Sequence, residues 1–427
     1  MRKVQMARVI TMDEVHLEGK TVLLRVDINS PLHPHTKAFL DDTRIRGILP
    51  TMRKLSKSKT VIMTHQSRPG KDDFTGTLGH ARELGRLLGK TVKWVDDIHG
   101  DKALAAIEEM QIGDILMLNN IRMDAQELSM KNNTFESLLD SQIVTRLSSV
   151  ADVFINDAFA CAHRNSPSIT GFTHAIPCVA GELLNKEIRA LQKASEQPER
   201  PCIAILGGIK VDDSVGVASN MLRTGISDQV WVIGGVANLF LMCNGVDIGR
   251  PSEAFLRNEL GEAWDDTVEN IEALLRDYPE HIIMPEDLAA NIGGNRVDTP
   301  ISALPVEASL IDLGVMSTLK MSKAIKEAGT VILNGPAGVF EMDDFAFGTI
   351  EMLNACSESS AYTIMGGGHT ATLVARMGIA EKMGHVSTGG GACLNFLAGR
   401  SMPALAGLAQ SAMQFDVEII MHEVQES

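Results

Sequence analysis

Two residue types recur where apolar runs end in this sequence, arginine in the first half and glycine in the second. In the first half, TVLLRVDIN ends in Asp27 and Asn29, and Arg44 follows. TVIMTHQSRPG carries His65 and Arg68, DILMLNNIRM carries Arg122, and DVFINDAFACAHRNSPS carries Asp157, His163 and Arg164. A guanidinium fork matches the geometry of carboxylate and phosphate. Four arginines and two histidines on one sheet edge would therefore suit a small ligand carrying both groups. A single strand-end arginine can equally cap a helix or pair with a surface acid. His65 and His163, taken alone, read as hydrogen-bonded structural residues.

In the second half the runs end in LGGIKVDDS, VIGGVANLF, LNGPAGVFE, IMGGGHTAT and STGGGACLN. Glycine lets backbone N–H groups approach an anion, and a following helix N-terminus adds a favourable dipole. One glycine pair marks no more than a turn, but five such loops on one edge point to a bound nucleotide. Lys210, in GGIK, adds a positive charge. GKT occurs at residues 19–21 and 89–91, but the upstream glycine of a P-loop would fall on Glu14 and Leu84. Both triplets also lead into a strand rather than out of one. Phosphoryl transfer needs alignment and charge neutralisation more than covalent work. The two sets of loops thus favour a two-domain kinase that closes on its substrates.

The elements that must position these residues are short apolar runs alternating with amphipathic helical segments. That pattern reads as βα units building parallel sheets, with ligands at the carboxyl ends of the strands. The second set of runs includes CIAILGG, QVWVIGG, HIIMPED, SLIDLG, TVILNG, AYTIMGGG and HVSTGG, all taken as such strands. Between the sets, Leu183, Leu184, Ile188, Leu191 and Ala194 recur at helical spacing, predicting one helix that joins two α/β domains. The expected division is 1–182, a joining segment 183–200, 201–398, and a C-terminal segment 399–427. That last segment is helical at first, and its last dozen residues fit strand or loop.

Composition bounds the class. A chain of 427 residues with 44% hydrophobic and 22% charged residues suits two or three well-filled soluble domains. No apolar run approaches the ~20 residues that span a bilayer, and the N-terminus shows no secretory pattern. A net charge of −15 repels nucleic acid and anionic membranes. Six dispersed cysteines without C-x-x-C exclude the common zinc patterns and suit a reducing cytoplasm.

Nine stretches, in order, resemble the phosphoglycerate kinase family from about Val22 to about Leu405: RVDINSP, DDTRI, THQSRPG, LNNIRM, FINDAFACAHR, LGGIKVDD, LNGPAGVFE, GGGHTAT and STGGGA. The resemblance implies two doubly wound, Rossmann-like parallel-sheet domains joined by a helix, with the C-terminal segment packing back on the first. It implies reversible phosphoryl transfer between 1,3-bisphosphoglycerate and ADP, giving 3-phosphoglycerate and ATP, with Mg2+. By motif, Asp27, Asn29, Arg44, His65, Arg68, Arg122 and Arg164 would hold the phosphoglycerate. Arg44 and Lys210 would also steady the moving group. Gly208, Gly235, Asn334, Pro336, Gly338, Val339 and Glu341 would form the nucleotide cleft, and Gly366, Gly367, Gly368, His369 and Thr370 would meet its phosphates.

Two positions depart from the common pattern. His369 stands where the family usually has an aspartate that binds magnesium, and Ser214 stands where it has a second lysine. Both changes resemble the archaeal branch of the family, and Asp213 becomes the expected magnesium ligand, with Asp212 beside it. THQSRPG also differs from the common SHLGRP. The alternative is a catalytically silent nucleotide-binding relative acting as regulator or scaffold. It gains only from His369 and Ser214, whereas Lys210 and the four arginines speak against it.

Overall fold

The computed structural model describes residues 8–415, except the side chain of His369. Six strands form the first sheet: β1 (Thr21–Val26), β2 (Lys59–Met63), β3 (Val92–Trp94), β4 (Ile115–Met117), β5 (Val153–Asp157) and β6 (Cys178–Ala180). All pair in parallel in the order β3-β4-β2-β1-β5-β6. Helices cover both faces, so β1 is buried at five consecutive residues and reads as a continuous apolar run instead of an alternating one. Leu24 registers against Ile62 on one side and Ile155 on the other, and all three sit in the same core as Ile45 and Ile48. The chain runs from β1 to one side of the sheet and later returns to its other side at β5. The carboxyl end of β1 is therefore the switch point where such sheets bind ligands.

The second parallel sheet repeats the plan with β7 (Cys202–Leu206), β8 (Gln229–Val232), β9 (Ile282–Ile283), β13 (Thr330–Asn334), β14 (Tyr362–Gly366) and β15 (His385–Val386). Its order is β15-β14-β13-β7-β8-β9, with the switch at β7. Between β9 and β13 lie β10 (Asp287–Ile292), β11 (Asn295–Pro300) and β12 (Ser309–Leu313). SLIDL is not a strand of the parallel sheet; it is β12 of a separate antiparallel sheet ordered β11-β10-β12. The cause is the hairpin before it. Gly293 and Gly294, at φ +61° and +91°, make a two-residue turn suited to strand twist. Strand β6, only three residues long, also escaped the reading.

Among the described residues, those up to Ile188 and from Met402 onward form one compact unit, and Arg189–Ser401 forms the other. The division falls inside the helix Glu182–Glu196. The helix Pro403–Gln414 belongs to the first unit, where Ser411 Oγ accepts from the Cys178 amide (3.0 Å) and the Ala404 amide donates to the Ala162 carbonyl (3.1 Å). Residues 416–427, and the strand-or-loop reading of them, lie outside the described residues. No helix among those described is long and apolar enough to cross a membrane.

Asp157 ends β5 and anchors the start of the helix Glu182–Glu196. It accepts from Thr51 Oγ (2.6 Å) and from the Leu184 amide (3.0 Å). Burial pushes its carboxyl up to about 6 despite these donors. Because the folded value exceeds the unfolded one, the folded state binds the extra proton between about pH 4 and 6, and stability falls as pH rises through that window. Urea unfolding of wild type against Asp157→Asn should show the difference moving by up to roughly 3 kcal/mol between pH 4 and 7, to the disadvantage of the wild type. On the opposite face of β5, the Phe154 and Phe172 rings stack 4.9 Å apart, both fully buried. Phe154→Ala should lower unfolding stability by about 3–5 kcal/mol by the same measurement.

Candidate active site

The first unit gathers its polar residues around the carboxyl end of β1. Asp27, 7% exposed, accepts from Arg44 Nη1 at 2.7 Å and from the Asn29 amide at 3.1 Å. Burial opposes its ionisation, but the surrounding basic groups, Arg44 and Arg25 among them, hold its carboxyl well below the usual range. His65, at the end of β2, is also buried. Burial, reinforced by Arg25, Arg122 and Arg164, drives it well below its ordinary value despite Asp27, so its ring is neutral at neutral pH. Asn29 Oδ1 accepts from the Ser67 amide at 2.9 Å, and the Ser67 carbonyl accepts from Arg122. The side chains of Arg68 and Arg164 make no hydrogen bond or ion pair among the described residues, leaving their forks free for an anion. Asp27, Asn29, Arg44, His65, Arg122 and Arg164 thus share one electrostatic neighbourhood, while Arg68 stands exposed on the loop after β2.

In the second unit, three strand-end loops pack backbone against backbone. The Gly207 amide donates to the Asn334 carbonyl (2.8 Å), and the Gly208 amide to the Pro336 carbonyl (2.9 Å). Gly335 sits at φ +82°, and a Cβ there would lie 2.3 Å from the Gly207 carbonyl; a Cβ on Gly235 would lie 2.9 Å from the Gly208 carbonyl. Such closeness needs glycine. Lys210, exposed, caps the helix Val211–Thr224 just beyond. Past the ends of β13 and β14, Asn334 Oδ1 and Thr370 Oγ are buried without a partner among the described residues, 3.5 and 3.7 Å from where a Cβ on Gly367 would sit. Buried polar atoms rarely stay unsatisfied, so this corner fits a ligand that supplies the missing bonds.

Gly338 backs onto buried Asp312, which pairs with Arg296 at 2.7 Å, and Val339 and Glu341 are exposed next to it. Gly366 is buried, Gly368 is exposed at the first turn of the helix Gly368–Met377, and the side chain of His369 lies outside the described residues. Asp213 pairs with Arg400 at 2.7 Å through one oxygen, Asp212 is exposed, and Ser214 Oγ is buried without a partner among the described residues.

A model of the phosphoglycerate kinase family matches residues 12–400. The chain belongs to the phosphoglycerate kinase family. It is similar to the phosphoglycerate kinase of Methanocorpusculum labreanum (42% identity, covering 95% of this chain and 98% of the relative). It is similar to that of Methanothermobacter thermautotrophicus as well (43%, covering 94% and 97%). Among solved structures, phosphoglycerate kinase from Pyrococcus horikoshii OT3 superposes with a TM-score of 0.87 at 37% identity, covering 95% of this chain and all of that one. The archaeal relatives agree with the branch expected from His369 and Ser214. The chain is a phosphotransferase that moves a phosphoryl group reversibly between 1,3-bisphosphoglycerate and ADP, with ATP and ADP as its nucleotides.

Within this phosphoglycerate kinase framework, the sequence reading passed over Arg25 and Ser67. Arg25 is 2% exposed and hydrogen-bonded to His65. A charge in the middle of an apolar run was the available signal, because a buried charge needs partners. Ser67 takes φ +55°, a left-handed conformation, where the common motif has glycine. Its amide and carbonyl hold Asn29 and Arg122, and its hydroxyl donates to Asp73 at 2.5 Å. In the second unit, Gly335→Ala should destabilise by at least ~2 kcal/mol, combining φ strain with backbone collision. Calorimetry should show the loss, with weaker ATP binding in titration.

Proposed function

We propose that the basic cluster of the first unit binds 3-phosphoglycerate or 1,3-bisphosphoglycerate and that the glycine-rich loops of the second unit bind ATP or ADP. Asp27, Asn29, Arg44, His65, Arg68, Arg122 and Arg164 hold the acid. Gly208, Gly235, Asn334, Pro336, Gly338, Val339 and Glu341 form the nucleotide cleft, with Glu341 toward the ribose. Gly366, Gly367, Gly368, His369 and Thr370 receive the phosphates. The observation that carries this reading is the pair Asn334 Oδ1 and Thr370 Oγ, buried without a partner among the described residues beside Gly367, which brings no side chain into that corner.

Transfer follows from alignment. The acceptor carboxylate is ionised and attacks directly, so no group has to remove a proton. The positive charges of Arg44 and Lys210 offset the charge that spreads over the moving phosphoryl oxygens. A magnesium ion suits the oxygen donors Asp213 and Asp212, and when bound it would neutralise phosphate charge. Arg400 engages only one Asp213 oxygen and leaves the other available. With a net charge of −15, the partners are small molecules instead of nucleic acid or membrane, and the setting is the cytoplasm.

A coupled assay of ATP-dependent phosphorylation of 3-phosphoglycerate tests this reading. Wild type should turn over only with magnesium, and Lys210→Ala should lose about a hundredfold or more in kcat. ATP binding without turnover in the wild type would instead favour the scaffold alternative. Asp213→Ala should need more magnesium for half-maximal rate, and an unchanged magnesium dependence would remove Asp213 as a ligand.

A further inference from the structure

A buried chain of hydrogen bonds runs from Glu127 to His65, and donor chemistry dictates its direction at every link. Glu127, 8% exposed, accepts from Ser166 Oγ (2.8 Å), Ser168 Oγ (2.7 Å) and the Ser168 amide (2.9 Å). Burial pushes its carboxyl upward, while the surrounding donors and Arg25 favour the ionised form. Ser168 Oγ also lies 3.2 Å from Arg25 Nε. A guanidinium can only donate, so the serine accepts there and gives its single proton to Glu127. Arg25 donates to the Val26 carbonyl as well, and its Nη2 lies 3.1 Å from His65 Nδ1. At that last link the ring nitrogen must accept, which leaves it without a proton. A neutral imidazole has one proton to place.

We propose that Arg25, anchored through Ser168 on Glu127, is a positioning residue that fixes His65 with its proton on Nε2, making His65 an N–H donor to an oxygen of the phosphoglycerate. The inference rests on the ligand assignment under Proposed function and adds two residues, Arg25 and Glu127, that need not touch the ligand. It explains why an arginine is buried in β1 with a carboxylate two bonds away. The charge holds one tautomer, and the carboxylate balances the charge. The same arrangement disfavours a cation here. Asp27, His65 and Cys161 bring three ligand-type atoms within 4.8 Å of one another, but Arg25 takes His65 Nδ1, and Arg44 and the Asn29 amide take one Asp27 oxygen each.

The test is nitrogen-15 NMR of the full chain labelled at histidine, with the His65 signals assigned by their loss in His65→Gln. Wild type at neutral pH without ligand should show a protonated Nε2 and a bare Nδ1; a proton on Nδ1, or on both nitrogens, would overturn the proposal without any variant. Arg25→Met should populate both tautomers and raise KM for 3-phosphoglycerate about tenfold, with kcat within threefold. Ser168→Ala, which removes only the hydroxyl link, should shift the tautomers the same way with a KM about threefold higher. A His65 spectrum unchanged in Ser168→Ala and in any folded Arg25→Met overturns the positioning role. Adding 3-phosphoglycerate separates the two readings. Movement of the Nε2–H signal supports the donor role, whereas a fixed Nε2–H that saturating ligand does not move defeats the ligand assignment for His65 and leaves the tautomer standing.

Discussion

Holding positive charge in place without a ligand to balance it is the problem around which the first unit is arranged. Asp27 solves the local part, lying buried with Arg44 on one oxygen and the Asn29 amide on the other. Removing it would leave several cations facing one another in a poorly solvated site, where repulsion is weakly screened. The neutral state of His65 belongs to the same balance, since another charge there would add to the repulsion. Even the left-handed Ser67 fits, because its backbone is turned to hold Asn29 and Arg122 with one peptide group on each side.

The second unit meets a different constraint with different means. Its loops carry little fixed charge and offer backbone instead, so close packing replaces electrostatics. Gly207, Gly208, Gly235 and Gly335 let three strand ends touch through main-chain atoms, leaving no space for a side chain to stray into the cradle. Lys210 is the basic side chain placed beyond them, exposed and free to follow a phosphate. One unit thus offers charge and fork geometry, the other shape and amide donors.

Most of the architecture was legible because burial on both faces of a parallel sheet writes continuous apolar runs such as TVLLRV and TVILN into the sequence. The strand-end polar residues were legible for the same reason, since the switch-point rule says where to look. What escaped was encoded elsewhere. SLIDL has the composition of a parallel strand, and only the Gly293–Gly294 turn upstream reveals its antiparallel partner. Arg25 hid inside a run whose other members are apolar, and its partners Ser168 and Glu127 are more than a hundred residues away. The engagement of Asp213 by Arg400 spans 187 positions, and no local pattern announces a contact of that range.

The return of the chain to the first unit gives the molecule an order of assembly. The second unit is complete once Ser401 exists, whereas the first still lacks the helix Pro403–Gln414 that receives the Cys178 amide. On a ribosome, which releases the chain from its N-terminus, all six strands of the first sheet emerge early and then wait for nearly the whole length of the second unit. The second unit can therefore finish folding before the one synthesised ahead of it, with the β6 side of the first sheet uncovered in the interval. A chain stalled or cut just after Ser401 would present that unfinished apolar surface to chaperones and proteases, making the helix Pro403–Gln414 a seal on the first unit.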